Sequence, residues 1–384
     1  MLKKRDPVMA KKYILITSII LSVFFILSWI TPFCNLYANT VYGIISDALG
    51  FITGIIPVNL GECLMYILAL CTFTAAILSL LLIFLRKKPG FMSFTVRYLK
   101  ILACTAMTFL LLYMFNWWLP FRSGLMGGVL DPSNDYSFEE LETLRNYFAE
   151  KTNELSEEVL RDGDGKLIYT EKEEVCRQIN ESMKGLSGEF SRLSGYYPPV
   201  KEAYCSDVLR WMYIGGFTYP YTMELTMSSY VSRLYYPALY AHEASHHQGY
   251  YRENEANFFE YLGCNGCEDP FIRYSANIEM YYYLDESYRE ALSEEFPGHE
   301  EEHYKEQVQL SSLISKDEKA ARADVEALYK QKSHPLQNLS EKAAKIADTG
   351  WKTQGKLIGE EGYGGVVNLL LEYYRKNPES FHLP

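Results

Sequence analysis

Three long apolar runs in the N-terminal third constrain most strongly what this chain of 384 residues can fold into. The runs are Tyr13–Ile30, Cys63–Leu85 and Ile101–Leu119, and none of them contains a charged residue. As a helix, each run is long enough to cross a hydrocarbon core of about 30 Å. A cleaved signal peptide would explain only the first run. We therefore predict that residues 1–120 form a membrane domain with three transmembrane helices, and that the lipid bilayer is a partner.

The distribution of basic residues predicts how these helices cross the membrane. Lys and Arg precede the first run and fill the loop between the second and third runs, whereas residues 31–62 contain neither. Positive charge is enriched on the cytoplasmic side of membrane proteins. Three crossings would then leave the chain after about Leu119 outside the cytoplasm. We expect a multi-pass protein of the cell membrane with an extracytoplasmic C-terminal domain.

A weaker apolar stretch, Val41–Val58, bears on this orientation. A fourth full span there would place the C-terminal domain in the cytoplasm. The stretch is interrupted by Asp47, Gly50, Gly54 and Pro57, and no basic residue flanks it. These interruptions favour an interfacial or re-entrant segment over a span.

The net charge excludes one class of partner. Residues 1–120 carry ten basic and three acidic residues, a net charge of +7, so the formal total of −11 leaves −18 for residues 121–384. A region this acidic repels phosphate backbones, and no nucleic acid partner is expected.

The remainder of the chain divides into a linker and one domain. Residues 121–135 are rich in Gly, Pro, Ser and Asp and predict a linker, followed by a domain over residues 136–384. Ser137 and Glu140 have capping-box spacing ahead of a helix that reaches about Leu155. Two further helices are predicted at Lys316–Lys332 and near Leu339–Asp348. Between the first of these helices and Lys316, Phe217–Thr226 alternates apolar and polar residues, which predicts a strand. Pro220 favours a position at a sheet edge.

One motif in this domain points to a metal site. His242-Glu243-Ala-Ser-His246 lies between Pro237, which suits the first turn of a helix, and Gly249, which suits its end. On a helix, His242 and His246 lie one turn apart on the same face and can bind one Zn²⁺. Glu243 can then act as general base on a zinc-bound water.

The same five-letter pattern occurs a second time, as His299-Glu-Glu-Glu-His303. Polar residues surround this copy on nearly every side, which predicts a solvated helix rather than a buried site. We therefore assign the metal to the first copy.

A third ligand is expected just after Gly249. In the next predicted helix, Glu253, Ala256, Asn257 and Glu260 share one face at helical spacing. Glu255 points almost the opposite way, so only one of the two first-turn acids can reach the metal. We predict Glu253 as the third ligand, with Glu255 as the alternative.

Two further predictions concern His247 and Tyr274. His247 is offset from the ligand face and is expected to be a packed or surface histidine. Tyr274 is the candidate for a catalytic role in stabilising the oxyanion, chosen from 32 tyrosines.

These residues resemble two families. Glu253-x-x-Ala256-Asn257 resembles the element that follows H-E-x-x-H in zincin metallopeptidases with a glutamate third ligand. The chain is also similar to a bacterial membrane family known as domain of unknown function 3810, through Pro220-Tyr-Thr222, His242 to Gly249, and Arg252 to Phe258. The resemblance implies a mainly α chain: three transmembrane helices, then a zincin-like α+β domain with a small sheet and an H-E-x-x-H helix. It also implies zinc.

The expected function is hydrolysis of peptide bonds, with a peptide or envelope protein as substrate and an endopeptidase as the enzyme type. The alternative is a non-catalytic sensory or partner-binding module that keeps zinc on a zincin fold. A purely structural zinc site is disfavoured because such sites are closed by four protein ligands. Cys264 and Cys267 lack the second pair that a four-cysteine zinc site needs, and are expected to form a local disulfide or two packed thiols.

Overall fold

The computed structural model describes residues 6–129, 136–331 and 365–377, and these residues are mainly helical. The helix predicted near Leu339–Asp348 lies outside the described residues. The membrane-proximal helices are α1 (Asp6–Leu27), α2 (Thr31–Tyr37), α3 (Gly43–Gly54), α4 (Leu60–Leu85), α5 (Pro89–Tyr113) and α6 (Leu119–Phe121). Those that follow are α7 (Phe138–Glu158), α8 (Lys172–Gly185), α9 (Ser206–Trp211), α10 (Tyr236–His247), α11 (Glu253–Asn265), α12 (Pro270–Glu295), α13 (Glu300–Glu306), α14 (Ser312–Gln331) and a C-terminal helix, Gly365–Lys376.

Three of these helical stretches are long and apolar enough to cross a membrane: Met9–Leu27, Leu60–Leu85 and Pro89–Phe121. The three predicted apolar helices are therefore confirmed, with differences in extent that are largest for the third. The third begins at Pro89 rather than Ile101, because proline suits the first turn and the basic residues that follow do not interrupt a helix. Five π-helical residues, Met114–Trp118, join α5 to α6 without a break.

The weaker apolar stretch forms a helical segment that is not one of the three long apolar helices. Helix α2 passes through five π-helical residues, Ala38–Tyr42, into α3. One face packs on the C-terminal domain, where Tyr42, Ser46, Gly50 and Thr53 are buried. The opposite face exposes large apolar side chains, among them Ile44 and Phe51. One packed face and one apolar exposed face fit the predicted interfacial segment.

The C-terminal domain is built around helices α7, α10, α11 and α12, which share one hydrophobic core. Helix α7 begins with the predicted capping box, in which Ser137 and Glu140 bond each other's backbone N–H groups. Arg145 of α7 is fully buried and forms an ion pair of 2.7 Å with Asp285 of α12. This pair joins the two longest helices of the domain. Helix α14 confirms the helix predicted at Lys316–Lys332.

The predicted strand Phe217–Thr226 is in fact a hairpin. Strand β2 (Gly216–Thr218) runs antiparallel to β3 (Leu225–Met227), and β1 (Lys201–Glu202) pairs with β3 in parallel, giving the order β1-β3-β2. Pro220 lies in the turn, and Met223 has a positive φ of 55° there. A single strand was the wrong interpretation because proline and a left-handed residue interrupt the extended chain. The predicted position at a sheet edge is confirmed for β2 among the described strands.

The residues predicted as a linker are partly packed. The backbone N–H of Gly124 donates to Asn35 of α2 at 2.7 Å, and Arg252 donates to the carbonyl of Ser123 at 2.8 Å. Phe121 and Met126 are buried. Up to residue 129, the chain therefore holds the third apolar helix against the C-terminal domain.

Candidate metal centre

Helix α10 carries the first His-Glu-x-x-His motif where the sequence predicts it. Pro237 occupies the first turn, and Gly249 follows the helix with a φ of +89°, a conformation that favours glycine. A side chain at Gly249 would also collide with the ring of Tyr42, since its Cβ would lie 2.7 Å from that ring. Gly249 therefore ends α10 and leaves room for the ring of Tyr42 to pack against it.

Helix α11 starts at Glu253 and brings this acid to the two histidines. Glu253 Oε2 lies 3.2 Å from His242 Nε2, and Glu253 Oε1 lies 3.8 Å from His246 Nε2. One ligand atom from each of the three residues lies within 4.8 Å of the other two. At the contact between the two helices, a Cβ built on Gly263 would lie 3.8 Å from the Cβ of Ala241, which is an ordinary van der Waals distance. The structure thus brings together the three predicted ligands.

The alternative ligand, Glu255, points elsewhere. Its carboxylate is buried and accepts the backbone N–H of Met126. Burial raises the pKa of Glu255, although Arg252 and Arg192 oppose that shift. Glu255 therefore joins the start of α11 to the segment after α6 and is not directed at the histidines.

Backbone and carboxylate partners hold the two imidazoles. His246 Nδ1 lies 2.8 Å from the carbonyl of Tyr250, so Nδ1–H donates there and Nε2 is left to bind a metal. His242 Nδ1 lies 3.7 Å from Glu260 Oε2. Glu260 is buried beside Glu279, whose pKa is raised well above its usual value by burial and by Glu260. A protonated Glu279 can donate a hydrogen bond to Glu260, whose Oε2 faces His242 Nδ1.

The charges of the three candidate ligands are strongly coupled. Burial alone would lower the pKa of His242, but Glu253 and Glu260 outweigh it and raise that pKa well above the usual value. Burial lowers the pKa of His246 to about 4. For Glu253, burial is outweighed by the hydrogen bond to His242 and by both histidine charges, so its pKa is lowered to about 2. Zinc prefers imidazole nitrogens, either neutral or with a proton that the metal can displace, and carboxylate oxygens as donors.

Glu243 is placed for proton transfer. Its side chain is buried, and Oε2 has no hydrogen-bond partner among the described residues. Burial raises the pKa of Glu243 to about 8, with the neighbouring charge of His242 opposing the shift. Its Cγ packs so closely on β2 that a Cβ at Gly216 would lie 2.9 Å away. Glycine at that position is what lets β2 lie against the carboxylate.

Tyr274 is not placed at this site. Its hydroxyl donates to Asp317 of α14 at 2.8 Å, and its ring lies in a core cluster with Leu155 and Ile314. Asp317 also forms an ion pair of 2.6 Å with Arg161. The prediction of an oxyanion role is corrected because this hydroxyl is used to join α12 to α14. No sequence signal separates such a tyrosine from the others.

The remaining predicted residues lie as follows. His247 is completely buried against α3, where a Cβ at Gly50 would lie 2.9 Å from its ring, so it is packed rather than exposed. Cys264 and Cys267 are two buried free thiols. In the second copy, His299 precedes α13 instead of lying within it, and α13 has no buried residue. The solvated character predicted for that copy is confirmed.

The sequence predicted no role for two residues of this region. Glu260 shares a helix face with Glu253 at i+7, which was the signal that it could also reach a histidine. Tyr251 stacks on the ring of His246, with 5.9 Å between ring centroids, and nothing in the sequence indicated this contact.

The fold and the site define a class: a protein with three candidate membrane helices and a partly buried His-His-Glu cluster next to a small sheet. The chain belongs to a family described as protein of unknown function (DUF3810), whose model matches residues 37–371. The match includes α10 and α11 and confirms the resemblance to domain of unknown function 3810. Neither the curated proteins nor the solved structures include a match.

Proposed function

We propose that this protein is a membrane-anchored, zinc-dependent metallopeptidase. The observation that carries the proposal is the convergence of His242, His246 and Glu253, with ligand atoms within 4.8 Å of one another, beside the buried carboxylate of Glu243. The side chains of His242 and Glu253 are 13% and 35% exposed, so the cluster is reachable from solvent. Three protein ligands with an accessible side are typical of catalytic rather than structural zinc sites.

The donor set fits zinc. Two imidazole nitrogens and one carboxylate oxygen match the ligand types of zinc hydrolases, and the second ring nitrogen of each histidine faces an acceptor. When bound, zinc lowers the pKa of a coordinated water to about 7 and polarises a substrate carbonyl. Calcium and magnesium, which prefer oxygen donors, fit this cluster less well.

The chain's own groups supply the proton transfers. Glu243 accepts the proton of the attacking water at its Oε2, which no described residue occupies. The same carboxyl can then give that proton to the leaving amine, because a pKa raised to about 8 by burial keeps both protonation states accessible near neutral pH. Glu260 and the carbonyl of Tyr250 keep the two imidazoles in the orientation that metal binding needs.

An extended peptide could be held by β2. In the antiparallel pair with β3, Phe217 faces Thr226, and the neighbouring pairs Tyr219–Glu224 and Gly215–Ser228 bond through their backbones. Along an antiparallel strand, successive residues alternately bond to the partner strand and point their backbone groups away from it. The N–H and C=O groups of Gly216 and Thr218 therefore point away from β3. No described strand pairs with that side of β2. A substrate added there would pass directly beside Glu243.

We further propose that the C-terminal domain lies outside the cytoplasm. The support is the distribution of basic residues: they flank the first candidate span and the α4–α5 connection and are missing from residues 31–62. An envelope protein or peptide would then be the substrate.

Zinc content and peptide cleavage by the full-length protein, purified in detergent or nanodiscs, test the proposal. We expect one zinc per chain and cleavage of a peptide library, with cleavage lost and zinc retained in Glu243→Gln. The full chain is required because α2 and α3 cover part of α10. Zinc binding without any cleavage would overturn the peptidase proposal and favour the non-catalytic module.

A further inference from the structure

We propose that the substrate is a polypeptide anchored in the same membrane and cleaved close to the bilayer surface. This inference rests on the proposed peptidase function and deepens it. It depends on how the candidate metal centre is attached to the three apolar helices.

Two aromatic contacts join the metal centre to the third apolar helix. The ring of Tyr251 lies between His246 and Trp117, with centroid distances of 5.9 Å and 4.3 Å. Trp117 belongs to the π-helical turn that continues α5. The hydroxyl of Tyr42, from the segment before α3, donates to the carbonyl of His247 at 2.8 Å. The end of α10 therefore rests directly on membrane-proximal helices.

The turn of the β2–β3 hairpin is attached to the same helix. Asn116 donates to the carbonyl of Pro220 at 2.8 Å, and the ring of Tyr221 packs on Phe109 at 4.6 Å. Phe109 lies two turns before Trp117 on the helical stretch that contains the third candidate span. The strand proposed to hold substrate thus runs towards the apolar helices rather than away from them.

Buried charges fix the sheet to the start of the second span. Glu224, in the hairpin, accepts the backbone N–H groups of Leu60 and Gly61 at the beginning of α4. Its ion-pair partner Lys201, on β1, donates to the carbonyls of Thr53 and Val58. Both side chains are nearly inaccessible, so this joint is not a solvent-exposed hinge.

Glu62 makes the reciprocal contact. From the first turn of α4 it accepts the backbone N–H groups of Tyr204 and Cys205, next to β1, at 2.7 Å and 2.6 Å. Each side of the joint therefore supplies a buried carboxylate to backbone donors of the other. Such charge-assisted bonds are about twice as strong as neutral ones. These bonds attach the sheet to the start of α4.

Exposed apolar side chains lie on the helices next to the metal centre, including α3, where Gly50 contacts His247. At the end of α1, Ile26 and Trp29 are 66% and 60% exposed. Trp29 stacks under Arg122 at 4.7 Å, and Trp118 donates to Ser28, so this surface extends as high as the end of the third helix. Ile44 and Phe51, on the outer face of α3, are 72% and 56% exposed. Exposed patches of this extent are expected to be covered by lipid.

The metal centre is consequently held at a fixed, small height above the lipid. A peptide bond within a few residues of a membrane anchor can reach β2 and the metal. A bond at the far end of a long flexible segment reaches it only at a lower effective concentration.

The experiment uses the zinc-loaded full-length protein in liposomes with one scissile sequence presented in three forms. The sequence is attached to a transmembrane helix through a Gly/Ser spacer of 4 residues, attached through a spacer of 36 residues, or left as a free soluble peptide. The two spacers have root-mean-square end-to-end distances of about 11 Å and about 33 Å. Both anchored substrates have the same surface density, so their comparison removes the effect of membrane partitioning. Glu243→Gln supplies the background rate for each.

We expect cleavage with the short spacer to be roughly tenfold faster than with the long one, and the free peptide to be slowest. Equal rates for the short and long spacers, or faster cleavage of the free peptide, would overturn the inference while leaving the peptidase proposal in place. Cleavage of none of the three, with zinc bound, would overturn the peptidase proposal and the inference with it.

Discussion

The two His-Glu-x-x-His segments of this chain have the same pattern and opposite surroundings. In the first, His242 and His246 lie on α10, with side chains only 13% and 8% exposed. In the second, the side chain of His299 is 69% exposed, and the ring of His303 stacks on Phe296 at 3.7 Å. His299 precedes α13 and His303 lies within it, so the two histidines of this copy do not lie on one helix.

The difference shows what turns the pattern into a candidate metal centre. Apolar and small neighbours bury α10, whereas α13 is acidic and remains on the surface. A second helix, α11, then supplies Glu253 to the first copy, and no comparable His/Cys/Asp/Glu group including the second copy occurs among the described residues. Burial and a third ligand, rather than the five-residue pattern itself, distinguish the candidate metal centre from the second copy.

The largest expected effect comes from removing one histidine of each copy. His246→Ala should weaken zinc binding by more than the 10–100-fold typical of residues around a metal ligand, and abolish peptide cleavage, because a direct donor is lost. His303→Ala is the matched control and should change neither. Zinc titration and cleavage assays on both variants measure this. Zinc loss in His303→Ala instead would transfer the site to the second copy.

A smaller effect is expected from the carboxylates that face the histidines. Glu260→Gln should weaken zinc binding roughly 10–100-fold, because the anionic partner of His242 Nδ1 is lost while the ligands remain. Glu302→Gln removes the carboxylate that lies 3.3 Å from His299 Nδ1 and is the control. Competition with a fluorescent zinc chelator gives both affinities. Identical affinities would show that Glu260 does not position His242.

The pH dependence of zinc binding should be about tenfold per pH unit. The pKa of His242 is raised well above its usual value in the metal-free protein, so this imidazole is protonated at neutral pH and zinc must displace the proton. Affinity should therefore fall as pH falls. Calorimetry in buffers of different ionisation enthalpy should detect one proton released near pH 7. Binding that is independent of pH between 6 and 7.5 would contradict the protonated state.

The smallest effect is expected at the surface of the second copy. Lys305 and Glu301 form an ion pair of 3.1 Å with side chains 73% and 87% exposed. Lys305→Ala should change the free energy of unfolding by no more than about 0.5 kcal/mol, because exposed pairs contribute little. Thermal unfolding of the full-length protein measures this. A large decrease in melting temperature would show that α13 is more than a solvated helix.

Local sequence signals predicted several elements well. The apolar runs, the Ser137–Glu140 capping box and the proline and glycine that bound α10 each act through neighbouring residues, so they could be interpreted without the fold. The preference for Glu253 over Glu255 also came from helix periodicity, and the geometry agrees with it.

Other features depended on contacts distant in sequence. Glu224 looked like a solvent-facing strand residue, but it is buried because Lys201 and the start of α4 supply its partners. Tyr274 could not be separated from the other tyrosines, because its role depends on Asp317 of a helix 43 positions away. The sequence also did not predict that α2 and α3 pack on α10, because these contacts join residues that are far apart in the chain.

The sequence by itself determined the helical segments, the apolar runs and the residue types that could bind a metal, because these depend on hydrophobicity and on spacing along one helix. Only the tertiary structure decided which carboxylates support the histidines and that the site rests on the membrane-proximal helices. Those features are set by the relative placement of elements, where side chains far apart in the chain compete for the same buried partners.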